Sequence, residues 1–170
     1  MERRRLLRSA ALTGGALALA PMLAACGFRL RGSARFAYDS LHLAATTPLA
    51  EELRLALRGN GLQVFGPKDP PERAQVVLLI SGEQRARVVV SRTSNGQVRE
   101  LQLQLSVRVS ARSARGVDLI TDLLMEQQRD VSYNETVALA KEAEEEILFR
   151  DMQSDLTQQL VRRLATLQPG

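Results

Sequence analysis

Across 170 residues the chain has one cysteine, one histidine and no tryptophan. A single cysteine excludes an intrachain disulfide and any paired-cysteine redox or zinc site, and a single histidine excludes imidazole-rich metal clusters. No Gly-x-Ser-x-Gly elbow occurs, and His42 lacks a nucleophilic partner once Cys26 is taken by other chemistry. No catalytic residue, no metal ligand set and no cofactor is therefore assigned, and the chain does not read as an enzyme. Beyond residues 9–25 no run is long and apolar enough to cross a bilayer. The four Phe and two Tyr are scattered, which leaves no stacking platform for single-stranded nucleic acid.

The chain opens on an export signal. Arg3, Arg4, Arg5 and Arg8 form a basic start, residues 10–20 are apolar, and Leu23-Ala24-Ala25-Cys26 follows. Small residues directly before a cysteine match the lipobox, where the peptide is cut ahead of the Cys and its thiol is acylated. Residues 1–25 are thus expected to be a lipoprotein signal peptide, Cys26 the lipid-attachment residue, and residues 26–170 one domain. A plain signal or anchor with an incidental cysteine is the alternative. The arginine run leaves general and twin-arginine export both open.

The signal also carries the excess charge. It holds four of the 23 basic and one of the 19 acidic residues, leaving 19 basic against 18 acidic, or net +1, in residues 26–170. So slight an excess gives no reason to expect a nucleic-acid partner. Within that domain the charge is divided. Residues 81–115 have seven Arg against two Glu, net +5, and residues 117–155 have three basic against eleven acidic side chains, net −8. Such a split suggests that one end of the domain selects anions while the acidic stretch stays away from them.

Periodicity gives the organisation. Leu41 and Leu43 alternate with His42 and Ala44 as a short strand. Thr47-Pro48 reads as an N-cap with proline at the first helical position, Leu49, Leu53, Ala56 and Leu57 make one stripe, and Gly59-Asn60-Gly61 stops the helix. Residues 66–71 read as a loop. Strand character runs from Val76 to Ile80, breaks at Gly82, which marks a bulge or a bend, and resumes at Val88. Asn95-Gly96 predicts a hairpin whose two turn residues both have positive φ. Beyond it Leu101, Leu103, Leu105, Val107 and Val109 alternate without a miss with polar residues. A turn at residues 113–116 leads to a last strand with Leu119, Leu123 and Met125 on one side. Residues 135–167 contain no Gly or Pro, and Leu148, Met152, Leu156, Leu160 and Leu164 recur every four beside Leu139, Ala143 and Ile147. The order β-α-β-β-β-α predicts an α+β fold: a two-layer sandwich with two helices on one face of a four-stranded, mostly antiparallel sheet.

That sheet would leave Gln102, Gln104, Ser106, Arg108 and Ser110 on an uncovered face, either solvated or a wet contact surface for a partner. Glu142, Glu144, Glu145 and Glu146 read best as a solvated helix start matched to the helix dipole. Arg85, Arg87, Arg92 and Arg99 flank the hairpin turn, and guanidinium forks suit phosphate groups of a glycolipid or acidic polysaccharide; a plain charged hairpin would need no ligand.

Cys26-Gly27-Phe28-Arg29-Leu30-Arg31-Gly32 resembles the mature start of the LptE family of lipopolysaccharide-assembly lipoproteins. Ser94-Asn95-Gly96-Gln97, Tyr133-Asn134, Ala138-Leu139-Ala140-Lys141-Glu142 and the leucine-striped helix follow in that family's order, while residues 36–75 match in pattern only. The resemblance implies two helices on a four-stranded sheet and no enzymatic role. It implies a plug in the lumen of the LptD outer-membrane β-barrel that helps the barrel assemble and binds lipopolysaccharide. It also implies a lipid anchor at Cys26 in the outer membrane, where Gly27 rather than Asp fits the sorting rule. It makes Lys141 a candidate lipopolysaccharide contact. Ser94 stands where members can carry a basic residue, so Arg92 and Arg99, with Arg85 and Arg87, are the candidate replacements. A lipid carrier, for which residues 101–109 offer no second apolar wall, and an envelope enzyme or enzyme inhibitor are the alternatives of other class.

Overall fold

The computed structural model describes residues 34–133 and 138–170. The expected signal at 1–25, the lipid-attachment residue Cys26, residues 27–33 and the expected start of the long helix at 135–137 lie outside them. The elements are β1 (Ser40–Leu43), α1 (Pro48–Gly59), β2 (Gln63–Phe65), a 3-10 turn (Pro71–Arg73), β3 (Val76–Arg92), β4 (Val98–Ser113), β5 (Asp118–Ser132) and α2 (Ala138–Ala165). They form one sheet in the order β2-β1-β3-β4-β5. Strand β1 runs parallel to β2 and β3, and β3, β4 and β5 form an antiparallel meander.

The α+β class and the two helices are as expected, and the sheet has five strands rather than four. The added strand, β2, is three residues long, too short for any periodicity to show. It pairs because α1 is a crossover that returns the chain parallel to β1. Between two neighbours, β1 is buried along all four residues instead of alternating. His42 is among them, its Nε2 3.1 Å from the Asp69 carbonyl oxygen in the loop that covers it.

Helix α1 begins and ends where its sequence directs. The Thr47 hydroxyl accepts from the Ala50 N–H at 3.3 Å, Pro48 opens the helix, and the Asn60 N–H closes the last turn onto Ala56. Leu49, Leu53 and Leu57 are buried, and Arg54 reaches back to the Leu43 and Ala45 carbonyls at the end of β1. On β4, Leu101, Leu103, Leu105, Val107 and Val109 are all buried and the intervening side chains lie on the other face, as the alternation predicts. The inner face of β4 shares one apolar cluster with α1 and with Met152, Leu156, Leu160 and Leu164 of α2. The Tyr38 hydroxyl donates to the Leu164 carbonyl at 3.1 Å, and burial pushes this phenol well above its ordinary pKa.

Three details depart from expectation. Along the first half of α2 the buried face passes through Glu145 and Phe149, whereas Ala143 and Ile147 are exposed and Leu148 is half-buried. A strict four-residue repeat advances about 40° per step around a helix of 3.6 residues per turn, so it drifts off the sheet. In β5 the buried residue before the bulge is Ile120, opposite Ala111, instead of Leu119. The two residues Thr121 and Asp122 face the single Ser110 there, and Asp122 adopts φ 40°. One inserted residue reverses the strand's parity.

The third departure is the hairpin turn. Among described residues other than glycine only Asp122 has positive φ, so Asn95 does not, and Gly96 alone takes the left-handed conformation at φ 82°. The Gly96 N–H donates to the Thr93 carbonyl and the Thr93 N–H to the Gln97 carbonyl, the pattern of a type I turn followed by a glycine bulge. Ser113, Gly116 and Val117 repeat it at the next hairpin. Gly96→Ala is expected to cost about 1–2 kcal/mol, read from urea denaturation, because an L side chain is disfavoured in this conformation. Asn95→Ala should cost less. The expected bulge at Gly82 is present, with φ 61° and a register shift between Ser81 and Gln84.

Candidate functional site

The candidate cations occupy two levels of the β3–β4 hairpin. Arg85 and Arg87 stand opposite Leu105 and Leu103, so beyond the Gly82 bulge they share the face that α2 covers. There they meet acidic side chains. Arg85 Nη1 donates to Glu146 Oε2 at 2.9 Å and stacks over the Phe149 ring at 5.0 Å, and Arg87 Nε forms an ion pair with Glu145 Oε2 at 2.8 Å. A cleft of about 280 Å³ separates the strand from the helix here, lined by these five residues and Glu142.

This overturns part of the charge reading. The basic and acidic segments do not keep apart, because the fold lays the first half of α2 against the hairpin. Glu142, Glu144 and Glu146 are exposed, as a solvated helix start requires, but the Glu145 side chain is only 2% exposed. Sequence reasoning missed this buried carboxylate; its position four residues before Phe149, on the drifting face of α2, was the available signal.

The pair is asymmetric, since the Arg87 side chain is 55% exposed. Removing the arginine strands a buried carboxylate, whereas removing the glutamate lets the guanidinium hydrate. Arg87→Ala is therefore expected to cost about 1–3 kcal/mol and Glu145→Leu less than about 1 kcal/mol, or to stabilise, both measured by urea denaturation. Equal losses would contradict the asymmetry.

The second level is the hairpin end. Arg92 pairs with Val98 and donates from Nη1 to the Gly96 carbonyl at 3.1 Å, bracing the turn. The Arg99 carbonyl accepts from the Tyr133 N–H at 2.8 Å, which ties the start of β4 to the end of β5. Lys141, in the first turns of α2, has Nζ 2.7 Å from Glu144 Oε2 and 3.5 Å from Ser132 Oγ, so it lies beside the same end of β5. The structure thus gathers Arg92, Arg99 and Lys141 at one end of the domain, and sets Arg87 back along β3 by five residues, about 17 Å. Among the described residues no carboxylate lies within ion-pair distance of Arg92 or Arg99. Also among the described residues, no three His, Cys, Asp or Glu side chains are grouped to hold a metal ion, and no helix is long and apolar enough to cross a membrane.

Comparison with known proteins places this geometry. Residues 28–164 match the family model LptE, described as lipopolysaccharide-assembly. The LPS-assembly lipoproteins LptE of Yersinia pestis (strain Pestoides F) and Yersinia pseudotuberculosis serotype O:1b (strain IP 31758) are each 34% identical over 149 residues, covering 85% of this chain and 70% of the relative. Among solved structures, the solution structure of an uncharacterized lipoprotein B from Nitrosomonas europaea superposes with TM-score 0.67 at 25% identity, over 82% of this chain and 90% of the other. The crystal structure of the rare lipoprotein B from Shewanella oneidensis gives TM-score 0.64 at 23% identity, over 75% and 95%, and shares the fold. The LptE family is one of outer-membrane-associated lipoproteins in lipopolysaccharide transport and is not an enzyme family. With the match running from before β1 nearly to the end of α2, the chain belongs to the LptE family of lipopolysaccharide-assembly lipoproteins.

Proposed function

We propose that the processed chain, residues 26–170, is held in the outer membrane by lipid on Cys26, occupies the lumen of an LptD-type β-barrel, and hands lipopolysaccharide to it. The observation that carries the ligand half of this reading is the convergence of Arg92, Arg99 and Lys141 at the hairpin end. Two of the three, Arg92 and Arg99, have no carboxylate beside them among the described residues, so the donors that Arg92 does not give to the Gly96 carbonyl, and those of Arg99, can meet phosphate. Arg85 and Arg87 extend the cationic strip, contributing the guanidinium nitrogens that Glu146 and Glu145 leave unbonded. The barrel half rests on family membership, and only barrels of about 16 or more strands leave a lumen wide enough for a domain.

The test is affinity purification of the full-length protein from detergent-solubilised outer membrane, with intact-mass analysis of its N-terminus. Stoichiometric recovery of one large barrel, and an acylated Cys26 terminus, are expected. Repeated recovery without a barrel would overturn the plug, and a Cys26 terminus without acyl mass would overturn the anchor. Loss of the anchor alone should leave the complex intact, because a plug is held by its own interface while acyl chains contribute only membrane affinity.

A further inference from the structure

The uncovered face of the sheet is not flat. Where β3 bulges at Gly82, a depression of about 350 Å³ opens across β3, β4 and β5, lined by Gly82, Gln84, Ala86, Gln104, Ser106, Arg108, Leu124 and Glu126. It forms because two of the β3 positions bordering it, Gly82 and Ala86, carry almost no side chain. Strand register places Gln84 opposite Ser106, Ala86 opposite Gln104, and Leu124 opposite Arg108, so all of these belong to the face turned away from the helices.

The lining chemistry narrows the ligand. Arg108 is neutralised by Asp122 at 2.8 Å, and the Glu126 carboxylate adds negative charge, so the depression repels phosphate. Amide, hydroxyl and carboxylate groups surround it, so an acyl chain would leave them without partners. What fits is a compact ring of hydroxyls. Leu124, 51% exposed, offers a small apolar edge for the C–H face of such a ring. The polar groups around it are already oriented by bonds among neighbours. Gln104 Nε2 donates to Gln102 Oε1 at 2.9 Å, Gln102 Nε2 to Asp130 Oδ1 at 2.9 Å, and Gln128 Nε2 to Glu126 Oε1 at 2.6 Å. Those bonds leave Gln104 Oε1, Ser106 Oγ and Glu126 Oε2 without a partner among the described residues. Side chains held on strands give up little freedom when they bind.

We propose that this depression is a carbohydrate subsite that takes one core-sugar ring of the glycolipid by its hydroxyls, separately from the phosphate contacts at the hairpin end. The inference rests on the lipopolysaccharide reading above and names which part of that ligand the open face meets. With no aromatic ring lining the depression among the described residues, the contact is weak alone and adds to the phosphate contacts through linkage in one molecule.

The experiment uses the purified full-length protein in detergent with three probes: intact lipopolysaccharide, lipid A, which keeps only its own glucosamine pair and lacks the core sugars, and the core oligosaccharide released by mild acid. The oligosaccharide should shift the side-chain amide resonances of Gln84 and Gln104 saturably. Filling the depression with Ala86→Leu and Ser106→Leu should weaken intact lipopolysaccharide about tenfold and leave lipid A unchanged. Gln104→Ala, which shortens one half-buried side chain, should weaken both the oligosaccharide and intact lipopolysaccharide and leave lipid A unchanged. Unmoved amide resonances, or equal lipopolysaccharide affinity in the filled variant, would overturn the subsite. Resonances that respond only when a barrel is added would overturn it too and assign the depression to polypeptide. If the wild type binds neither lipopolysaccharide nor lipid A, the ligand reading of the hairpin end fails, and the oligosaccharide titration still decides the depression.

Discussion

Leu156→Ala is expected to destabilise the protein by about 2–5 kcal/mol, whereas Ile147→Ala should stay within about 0.5 kcal/mol of wild type. Both belong to the apolar pattern of α2, and a strict four-residue stripe makes them near equivalents. The structure separates them. Leu156 is 1% exposed and packed between the sheet and α1, while Ile147 is 53% exposed. Truncating Leu156 removes apolar area from the core and leaves a cavity that a rigid strand wall cannot close. Urea denaturation reads the difference directly. At a slope of about 1–3 kcal/mol per molar urea, the Leu156 midpoint should fall by about 1 M or more with an unchanged slope. A comparable fall for Ile147→Ala would mean that the first half of α2 packs on another face in solution, and the Glu145–Arg87 contact would go with it.

How far the fold was legible follows from how many residues carried each signal. Strand β4 repeats apolar-polar alternation over more than four periods, and α1 carries a cap, a proline, a stripe and a glycine stop that agree with one another. Both came out as read. Strand β2 has three residues and no pattern of its own, so only its pairing with β1 defines it. The bulge at Asp122 puts an aspartate in a conformation usually given to glycine, held by its bond to Arg108, and composition offers no warning of it. The hairpin was visible in Asn95-Gly96, but the turn type depends on whether one residue or two go left-handed, which a dipeptide does not decide.

The candidate site was legible in kind and illegible in pairing. The arginines were read only as flanking the hairpin turn, and nothing local said that Arg85 and Arg87 lie on the face that turns toward α2 once Gly82 shifts the register. The glutamates are adjacent on one helix, and which of the four is buried depends on the helix's rotation against the sheet. Lys141 and Ser132 lie nine residues apart in sequence and meet only because α2 starts beside the end of β5.

Replacing Arg92 and Lys141 together with Glu is expected to lower lipopolysaccharide affinity about a hundredfold at low salt. A charge-assisted contact contributes about 1.5–3 kcal/mol, and losing two at a shared end corresponds to at least two decades in affinity. Arg92 is exposed and braces only the turn, whereas the Lys141 side chain is 18% exposed and paired with Glu144, so circular dichroism and a urea midpoint must show that the variant is folded before its affinity is read. Arg85→Gln with Arg87→Gln should reduce affinity only severalfold, because Glu146 and Glu145 already offset those charges, and should cost stability instead. Added salt separates the two levels further. Exposed contacts at the hairpin end are screened over about 8 Å at physiological ionic strength, so wild-type binding should weaken with salt while the Arg92 and Lys141 variant, already without those contacts, should hardly respond. Equal affinity of wild type and double variant at both salt concentrations would leave these cations as a solvated surface and remove phosphate recognition from the hairpin end. A loss that appears only in the Arg85 and Arg87 variant would move the site to the cleft beneath α2, where an incoming phosphate must displace Glu145 and Glu146 before it meets a guanidinium.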